Sequence, residues 1–199
     1  MKNGFSRSEP AELFPVFLKL FGRKVVLVGG GRVAATKLAS LVGSGAHLVV
    51  IAPKVRPELE RAGISLERRE FVPADLDGAW FVIAASSGEV NRQVAAAAQE
   101  RRIFLNAVDD PEAGSAYMGG VLRRGGVTVA ISTGGAAPAL AGLLREALDS
   151  VLPQQLELWV AAARRLRSKW RAATVPFPDR RPQLLEALNR LYAQREAAP

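Results

Sequence analysis

The chain has 199 residues, 49% apolar and 23% charged, which is the composition of a globular protein and excludes a disordered or fibrous one. No apolar run is long enough to cross a membrane, and the absence of cysteine excludes disulfides, thiolate catalysis and cysteine-bound metals. The net charge of +8 indicates an anionic partner, although few aromatic residues and no nucleic-acid-binding motif argue against nucleic acid.

Strands and helices alternate through the first half of the chain, after an apolar arm at Leu13 to Leu18. This alternation predicts an α/β fold with a parallel sheet and helices on both faces. The polar residues Met1 to Pro10 have no signal-peptide core, so we expect a cytoplasmic protein. The predicted elements are a strand at 24–28, a helix at 32–41, a strand at 47–51, a short helix at 57–62, an edge strand at 64–71, a strand at 80–85, a helix at 89–100 and a strand at 103–108.

The pattern changes near Pro111. Two strands at 116–122 and 127–132 flank a hairpin-like turn, and helices follow at 138–148, 153–170 and 182–193. The sequence therefore divides into a parallel-sheet domain (1–114), a small α+β region of hairpin plus helix (115–150) and a helical domain (151–199). The last part carries nine Lys and Arg residues against four acidic ones, which is either a solvated helix face or an anion-binding surface.

A glycine-rich turn follows the first strand and matches G-x-G-x-x-G/A with Gly29, Gly31 and Ala34. Gly29 permits the tight turn, Gly31 lets the backbone approach a pyrophosphate, and Ala34 lets the helix pack against the strand. A glycine-rich turn that binds no ligand can have the same sequence. The position between a strand and a helix, early in a βαβ pattern, favours a Rossmann-type dinucleotide-binding domain.

The end of the second strand bears on the choice of cofactor. Many NAD enzymes place an acidic residue there to bind the ribose, but this chain has Pro53 and Lys54 and no acid before Glu58. Lys54 suits the 2′-phosphate of NADP. Alternatively, Lys54 is an exposed loop residue and backbone groups hold the ribose.

Two adjacent carboxylates, Asp109 and Asp110, follow a buried strand at the sheet edge where ligand crevices open. In a partly dry cleft such a pair supplies a general base, with Asp109 the first candidate. The alternative is that Asp109, Asp110 and Pro111 form a turn that only ends the strand.

Ser132 and Thr133 precede two glycines and a helix, an arrangement that suits either anion binding or helix capping. The only histidine, His47, begins a strand, and no other His or Cys could join it in a metal site. We therefore predict no metal ligands.

Three motifs in this order resemble the precorrin-2 dehydrogenase/sirohydrochlorin ferrochelatase family, also found as the N-terminal module of siroheme synthase. The likeness runs from about Phe14 to Arg171. The stretches that carry it are Phe14 to Leu18 with Gly29 to Ala34, Asn106 to Asp109, and Ala130 to Pro138.

The resemblance implies a homodimer in which 115–150 is the dimerisation region. It implies oxidation of precorrin-2 to sirohydrochlorin with NAD rather than NADP, and in some members insertion of Fe²⁺. Asp109 would act as the catalytic base. The cofactor contacts fall on Arg32, Val33, Pro53 and Lys54 beside the glycines, and substrate carboxylates on Ser132, Thr133 and the arginines.

Two other functions fit the same residues. A non-catalytic NAD-sensing module would keep the glycine turn and have no need of Asp109. A dehydrogenase of another anionic substrate would keep both the glycine turn and Asp109. No histidine follows His47, so iron insertion would proceed without an imidazole.

Overall fold

A computed structural model describes residues 12–60 and 63–196, with side chains up to residue 193. The chain forms two compact units, Met1–Met118 and Gly119–Pro199. Within the described ranges, no helix is both long and apolar enough to span a bilayer. The further separation of a dimerisation region from a helical domain at residue 150 stays a prediction.

In its described residues, the first unit contains five strands, two α-helices and two short 3₁₀ turns. The strand order in the sheet is the third, second, first, fourth and fifth in sequence, all parallel, so the predicted Rossmann-type sheet is confirmed. In chain order the elements are β1 (Lys24–Val28), α1 (Arg32–Leu41), β2 (His47–Ile51), a 3₁₀ turn (Pro57–Leu59), β3 (Ile64–Glu67), a 3₁₀ turn (Pro73–Leu76), β4 (Ala79–Ala84), α2 (Gly88–Glu100) and β5 (Phe104–Ala107).

The central strand β1 is buried on both faces because its apolar side chains alternate between two cores. Val25 and Leu27 pack with Leu38 of α1 on one face of the sheet. Val26 and Val28 pack on the other face, in the core that includes residues of α2. One strand therefore anchors both layers of helices, and the turn that follows it is held from both sides.

The sheet order reverses between β1 and β4, which are neighbours in space. Val28 lies opposite Ala84, and the Ala85 N–H donates to the Val28 carbonyl (2.8 Å). The chain leaves β1 toward β2, whereas it leaves β4 toward β5 in the opposite direction. Loops that diverge in this way open a crevice at the carboxyl ends of the strands, where ligands bind in such sheets.

The second unit, as far as residue 196, forms one hairpin and three helices. Its elements are β6 (Gly120–Arg124), β7 (Val127–Ile131), α3 (Pro138–Val151), α4 (Leu156–Ala172) and α5 (Phe177–Glu196). A Cβ atom at Gly120 would lie 2.8 Å from the Ala141 carbonyl oxygen, so α3 packs tightly on β6. The Arg124 guanidinium donates to the Leu152 carbonyl (2.6 Å) and to the Asp149 carboxylate, which ties the hairpin to the end of α3.

The hairpin differs from its prediction in the bounds of its strands and the length of its turn. Gly125 and Gly126, with φ of +55° and +82°, form a two-residue turn, so β6 extends through Arg124 and the predicted four-residue turn is wrong. The predicted strand start at Ala116 is also wrong. The Ala116 N–H donates to the Leu105 carbonyl (2.9 Å), so this stretch lies against β5 instead of pairing with β7.

Two further boundaries differ from their predictions. The edge strand β3 ends at Glu67 instead of Phe71, where Arg69 pairs with Asp75 (2.7 Å) and the chain turns away. The last helix begins at Phe177, so Pro182 lies inside α5 rather than at its start. A proline beyond the first turn removes one helix hydrogen bond and crowds the carbonyl four residues before it, here that of Pro178.

Candidate functional site

The first two glycines after β1 are required by close contacts with neighbouring backbone. Gly29 has φ of +130°, and a Cβ atom there would lie 2.2 Å from the Ala85 carbonyl oxygen. A Cβ atom at Gly30 would lie 1.8 Å from the Lys54 carbonyl oxygen. The turn is therefore wedged between the chain leaving β2 and the chain leaving β4, and neither residue accepts a side chain without a backbone shift.

Gly31 is different, because a Cβ atom there would meet nothing within 4 Å. It is the N-cap of α1 and has ordinary extended dihedral angles (φ −88°, ψ −171°), and no acidic residue lies in the first turn. The first intrahelical bond runs from the Ala35 N–H to the Gly31 carbonyl (3.1 Å), which leaves the N–H groups of Arg32 and Val33 without an intrahelical acceptor. This open, electropositive end fits the pyrophosphate of a dinucleotide.

The loop after β2 lies directly beside the glycine turn. The Arg56 N–H donates to the Gly30 carbonyl (3.0 Å). The Lys54 carbonyl packs against Gly30 at the place where a Cβ atom would stand. Pro53 and Lys54 are exposed, and Glu58 is paired with Arg56 (2.9 Å). The structure thus brings both predicted cofactor-binding stretches together, with the exposed Lys54 side chain where ribose acids stand in other Rossmann proteins.

Asp109 is the second residue after β5, at the same sheet edge as the glycine turn, with β4 between them. The Val108 N–H donates to the Ala84 carbonyl (2.9 Å), which extends the sheet to the residue before it. Asp109 itself is exposed and has φ of +60°, a left-handed conformation that aspartate adopts more readily than most residues.

The neighbouring Asp110 has a structural task. Its carboxylate accepts a hydrogen bond from the Ala113 N–H (3.1 Å), and the Tyr117 hydroxyl donates to the Pro111 carbonyl (3.0 Å). The two sequence interpretations of this stretch thus divide between the residues. Asp110 shapes the turn, and the Asp109 carboxylate is presented to solvent.

Sequence reasoning gave no role to two polar residues near Asp109. Asn106 on β5 is only 6% exposed; its amide nitrogen donates to the Ala116 carbonyl (3.0 Å), but its oxygen has no hydrogen-bond partner. Lys37 on α1 is half-buried, and burial lowers the pKa of its ammonium group while the charge of Asp109 raises it. Helical spacing three residues after Ala34 was the one available signal for Lys37.

Ser132 and Thr133 belong to the second unit, where they lie between β7 and α3. The Thr133 hydroxyl accepts a hydrogen bond from the Ala137 N–H (3.1 Å), and the Ser132 hydroxyl accepts one from the Gly134 N–H (3.2 Å). The hydroxyls therefore organise the turn before α3 without capping the helix, whose N-cap is Ala137, and each keeps its own hydrogen to donate. Anion binding by these residues stays a prediction.

The described ranges contain no group of three or more His, Cys, Asp or Glu residues that could bind a metal ion. His47 is exposed at the start of β2, and its N–H donates to the Arg23 carbonyl (2.9 Å). It is an ordinary strand residue.

The parallel sheet, its order reversal and the glycine turn define a nucleotide-binding protein of the Rossmann type. Comparison with known families agrees. Residues 16–120 match the family described as putative NAD(P)-binding, and residues 124–150 match the sirohaem biosynthesis protein central family. The chain therefore belongs to the NAD(P)-binding family, and the predicted nicotinamide dinucleotide cofactor is confirmed.

Individual relatives are similar over most of this chain. Siroheme synthase 3 of Aeromonas hydrophila subsp. hydrophila is 43% identical over 175 residues, 85% of this chain and 37% of that protein. Siroheme synthase 2 of Pectobacterium atrosepticum is 42% identical over 163 residues, 79% of this chain and 36% of that protein. The chain thus spans little more than a third of the length of these curated relatives.

A solved structure matches the chain more evenly. The structure titled SirC, precorrin-2 dehydrogenase, is 25% identical and superposes with a TM-score of 0.68. The superposition covers 87% of this chain and 88% of that one.

Proposed function

We propose that this protein is an oxidoreductase that converts precorrin-2 to sirohydrochlorin with NAD⁺, in the biosynthesis of siroheme. The observation that carries the proposal is the likeness to the solved precorrin-2 dehydrogenase, which extends over nearly the whole of both chains. A likeness confined to the nucleotide-binding domain would support a dinucleotide site alone. Here it covers 87% of this chain, which is more than the first unit, Met1–Met118, contains, so it extends into the second unit.

The glycine turn supplies the proposed cofactor site. Gly31 gives access to the helix end, and the N–H groups of Arg32 and Val33 bind the pyrophosphate, while Pro53 and Lys54 line the adenosine side. NAD⁺, when bound, supplies the two-electron oxidising power of the reaction. Gly29 and Gly30 act indirectly, since their contacts with Ala85 and Lys54 fix the shape of the turn.

Asp109 is the proposed catalytic base. Dehydrogenation removes two hydrogens from the macrocycle, one with its electron pair and one as a proton, and the exposed Asp109 carboxylate accepts the proton. We further propose that Ser132 and Thr133 hold substrate carboxylates through their hydroxyl hydrogens. Exposed arginines of α4 supply complementary positive charge to a polycarboxylate substrate; they are Arg164, Arg165, Arg167 and Arg171.

The test is anaerobic incubation of the protein with precorrin-2 and NAD⁺, with NADH formation and the macrocycle spectrum followed together. We expect both signals to appear in parallel, and more slowly when NADP⁺ replaces NAD⁺. A protein that binds NAD⁺ but forms no NADH would be a sensing module instead. NADH formation with other anionic substrates but not with precorrin-2 would identify a different dehydrogenase.

We also propose a homodimer built on α3, whose exposed face is rich in leucine. Large apolar side chains on a helix surface are typical of an interface. The exposed residues of this face are Leu140, Leu143, Leu144 and Val151.

Leu143→Glu tests this interface, since Leu143 is 64% exposed in the single chain. We expect the variant to shift from dimer to monomer in sedimentation velocity, because an interface core does not accept an unpaired carboxylate. Glu70→Lys, a charge change at an exposed position of the first unit, is the control and should stay dimeric. A wild-type protein that sediments as a monomer would refute the dimer.

Iron insertion is a secondary proposal, with Fe²⁺ as a substrate. Asp109 would accept the pyrrole protons released as the metal enters the macrocycle. The test is Fe²⁺-dependent conversion of sirohydrochlorin above the uncatalysed rate. The cytoplasmic location expected from the sequence likewise stays a prediction.

A further inference from the structure

The loop after β2 carries both residue types that decide between NAD and NADP in Rossmann proteins. An acidic side chain near the adenosine ribose favours NAD because it accepts a hydrogen bond from the 2′-hydroxyl, whereas an arginine there accommodates the 2′-phosphate of NADP. This loop contains an arginine, Arg56, and a glutamate, Glu58. The dinucleotide that the loop favours therefore depends on how these two side chains are arranged.

The backbone that carries the two side chains is fixed beside the glycine turn. The Arg56 N–H donates to the Gly30 carbonyl (3.0 Å), and the Leu59 N–H donates to the Arg56 carbonyl (3.0 Å). Leu59 is fully buried, in the core that includes Ala34 of α1. The segment from Arg56 to Leu59 is thus anchored to the glycine turn at one end and to the core beneath α1 at the other.

Arg56 and Glu58 bind each other through two hydrogen bonds. The Arg56 Nε donates to one oxygen of the Glu58 carboxylate (3.3 Å), and its Nη2 donates to the other (2.9 Å). A guanidinium binds phosphate with the same two-pronged geometry, so Glu58 occupies an edge of Arg56 that a phosphate would use. The hydrogen bond from Arg56 holds the pKa of the Glu58 carboxyl below its usual value, so the carboxylate is ionised at neutral pH.

The pair has little to contribute to folding. Both side chains are about half exposed (51% for Arg56 and 50% for Glu58), and exposed ion pairs add little to stability. The consequence of the pair is electrostatic. Without Glu58 the loop would present two cations beside the glycine turn, Lys54 and Arg56, whereas Glu58 balances the charge of the guanidinium.

We propose that the pair of Arg56 and Glu58 determines cofactor specificity: the Glu58 carboxylate engages the Arg56 guanidinium and keeps it from binding a 2′-phosphate, so the site favours NAD⁺ over NADP⁺. This inference rests on the cofactor site of the proposed function and is independent of the tetrapyrrole. NAD⁺ has a neutral hydroxyl at the 2′ position and meets no repulsion there. A phosphate has about two negative charges near neutral pH, and it would have to displace Glu58 and remain beside its charge.

Glu58→Gln is the test, with NAD⁺ and NADP⁺ binding measured by titration calorimetry. We expect NADP⁺ affinity to rise about fivefold to twentyfold, because the guanidinium becomes available to the phosphate, and NAD⁺ affinity to change by less than about twofold. The melting temperature should stay that of the wild type, since the pair is exposed.

Asp77→Asn is the matched control. Asp77 is the partner of Arg101 in another exposed pair of the same unit (2.9 Å), and it precedes β4, at the sheet edge opposite the glycine turn. Neutralising it removes the same charge from the same unit, so general electrostatics would act equally in both variants. We expect neither dinucleotide affinity to change in Asp77→Asn. An equal gain in NADP⁺ affinity in this control would overturn the proposal.

Arg56→Gln, added to Glu58→Gln, identifies the group that binds the phosphate. The double variant should lose the gain in NADP⁺ affinity, because that gain comes from the guanidinium. If the double variant kept the gain, repulsion by Glu58 alone would set the preference, and the proposed role of the pair would be wrong. If Glu58→Gln bound NAD⁺ about tenfold more weakly and NADP⁺ no better, Glu58 would contact the ribose itself, which also overturns the proposal.

These titrations need no precorrin-2, so they separate the inference from the proposed reaction. If the dinucleotide affinities respond as expected and precorrin-2 is not oxidised, the proposed function is wrong and the role of the pair stands. A wild-type protein that binds NADP⁺ as tightly as NAD⁺ would refute the role of the pair, whatever the substrate.

Discussion

Asp109→Asn is expected to lower the turnover of precorrin-2 by about 10²- to 10⁴-fold, the range over which general bases contribute to catalysis. The variant removes the proton acceptor and keeps the size of the side chain. Asparagine also tolerates the left-handed conformation (φ +60°) that position 109 requires, so the fold should be preserved. Steady-state NADH formation measures the loss, and calorimetric NAD⁺ binding should be unchanged.

The neighbouring carboxylate provides the matched control. Asp110 accepts its hydrogen bond from Ala113 through a side-chain oxygen, which asparagine retains, so Asp110→Asn should turn over at nearly the wild-type rate. If Asp109→Asn kept full turnover, another group would have to take the proton. If both variants lost activity equally, the charge of the pair rather than one base would be responsible.

The sequence predicted those parts of the fold whose causes are local. The run of apolar residues at Val25 to Val28 and the glycines after it define a buried strand and a turn without reference to the rest of the chain. The alternation of strands and helices was enough to predict the parallel sheet. Boundaries were less certain where proline was involved, and Pro182 was placed at a helix start although the first turn forms before it.

Residues that matter through distant contacts were not predictable. Gly30 occupies a variable position of the glycine motif, yet it is the glycine most closely packed against other backbone, because Lys54 returns beside it after β2. Asn106 and Lys37 come near Asp109 only once α1 and β5 share one face of the sheet. The pair Asp109 and Asp110 was ambiguous for the same reason, since the bond from Ala113 assigns Asp110 to the turn.

Gly31→Asp is expected to abolish most NAD⁺ binding while leaving the protein as stable as the wild type or more stable. The position has open space around it and ordinary extended dihedral angles, and aspartate is a favoured N-cap residue that complements the helix dipole. The same carboxylate would occupy the helix end that binds the pyrophosphate and repel it. A like-charge contact of about 1–4 kcal/mol corresponds to about a 5- to 1000-fold loss of affinity.

Two companion variants separate the causes of that loss. Gly31→Asn has the same size and capping ability without the charge, so its smaller loss of NAD⁺ affinity reports the steric part alone. Gly30→Ala should show the opposite behaviour, unfolding more easily by about 1–3 kcal/mol, because its methyl group would collide with the Lys54 carbonyl. Thermal melting and NAD⁺ titration of the three proteins decide the matter. Unchanged NAD⁺ affinity in Gly31→Asp would mean that the dinucleotide phosphates lie elsewhere, since no bound anion tolerates a carboxylate in its own site.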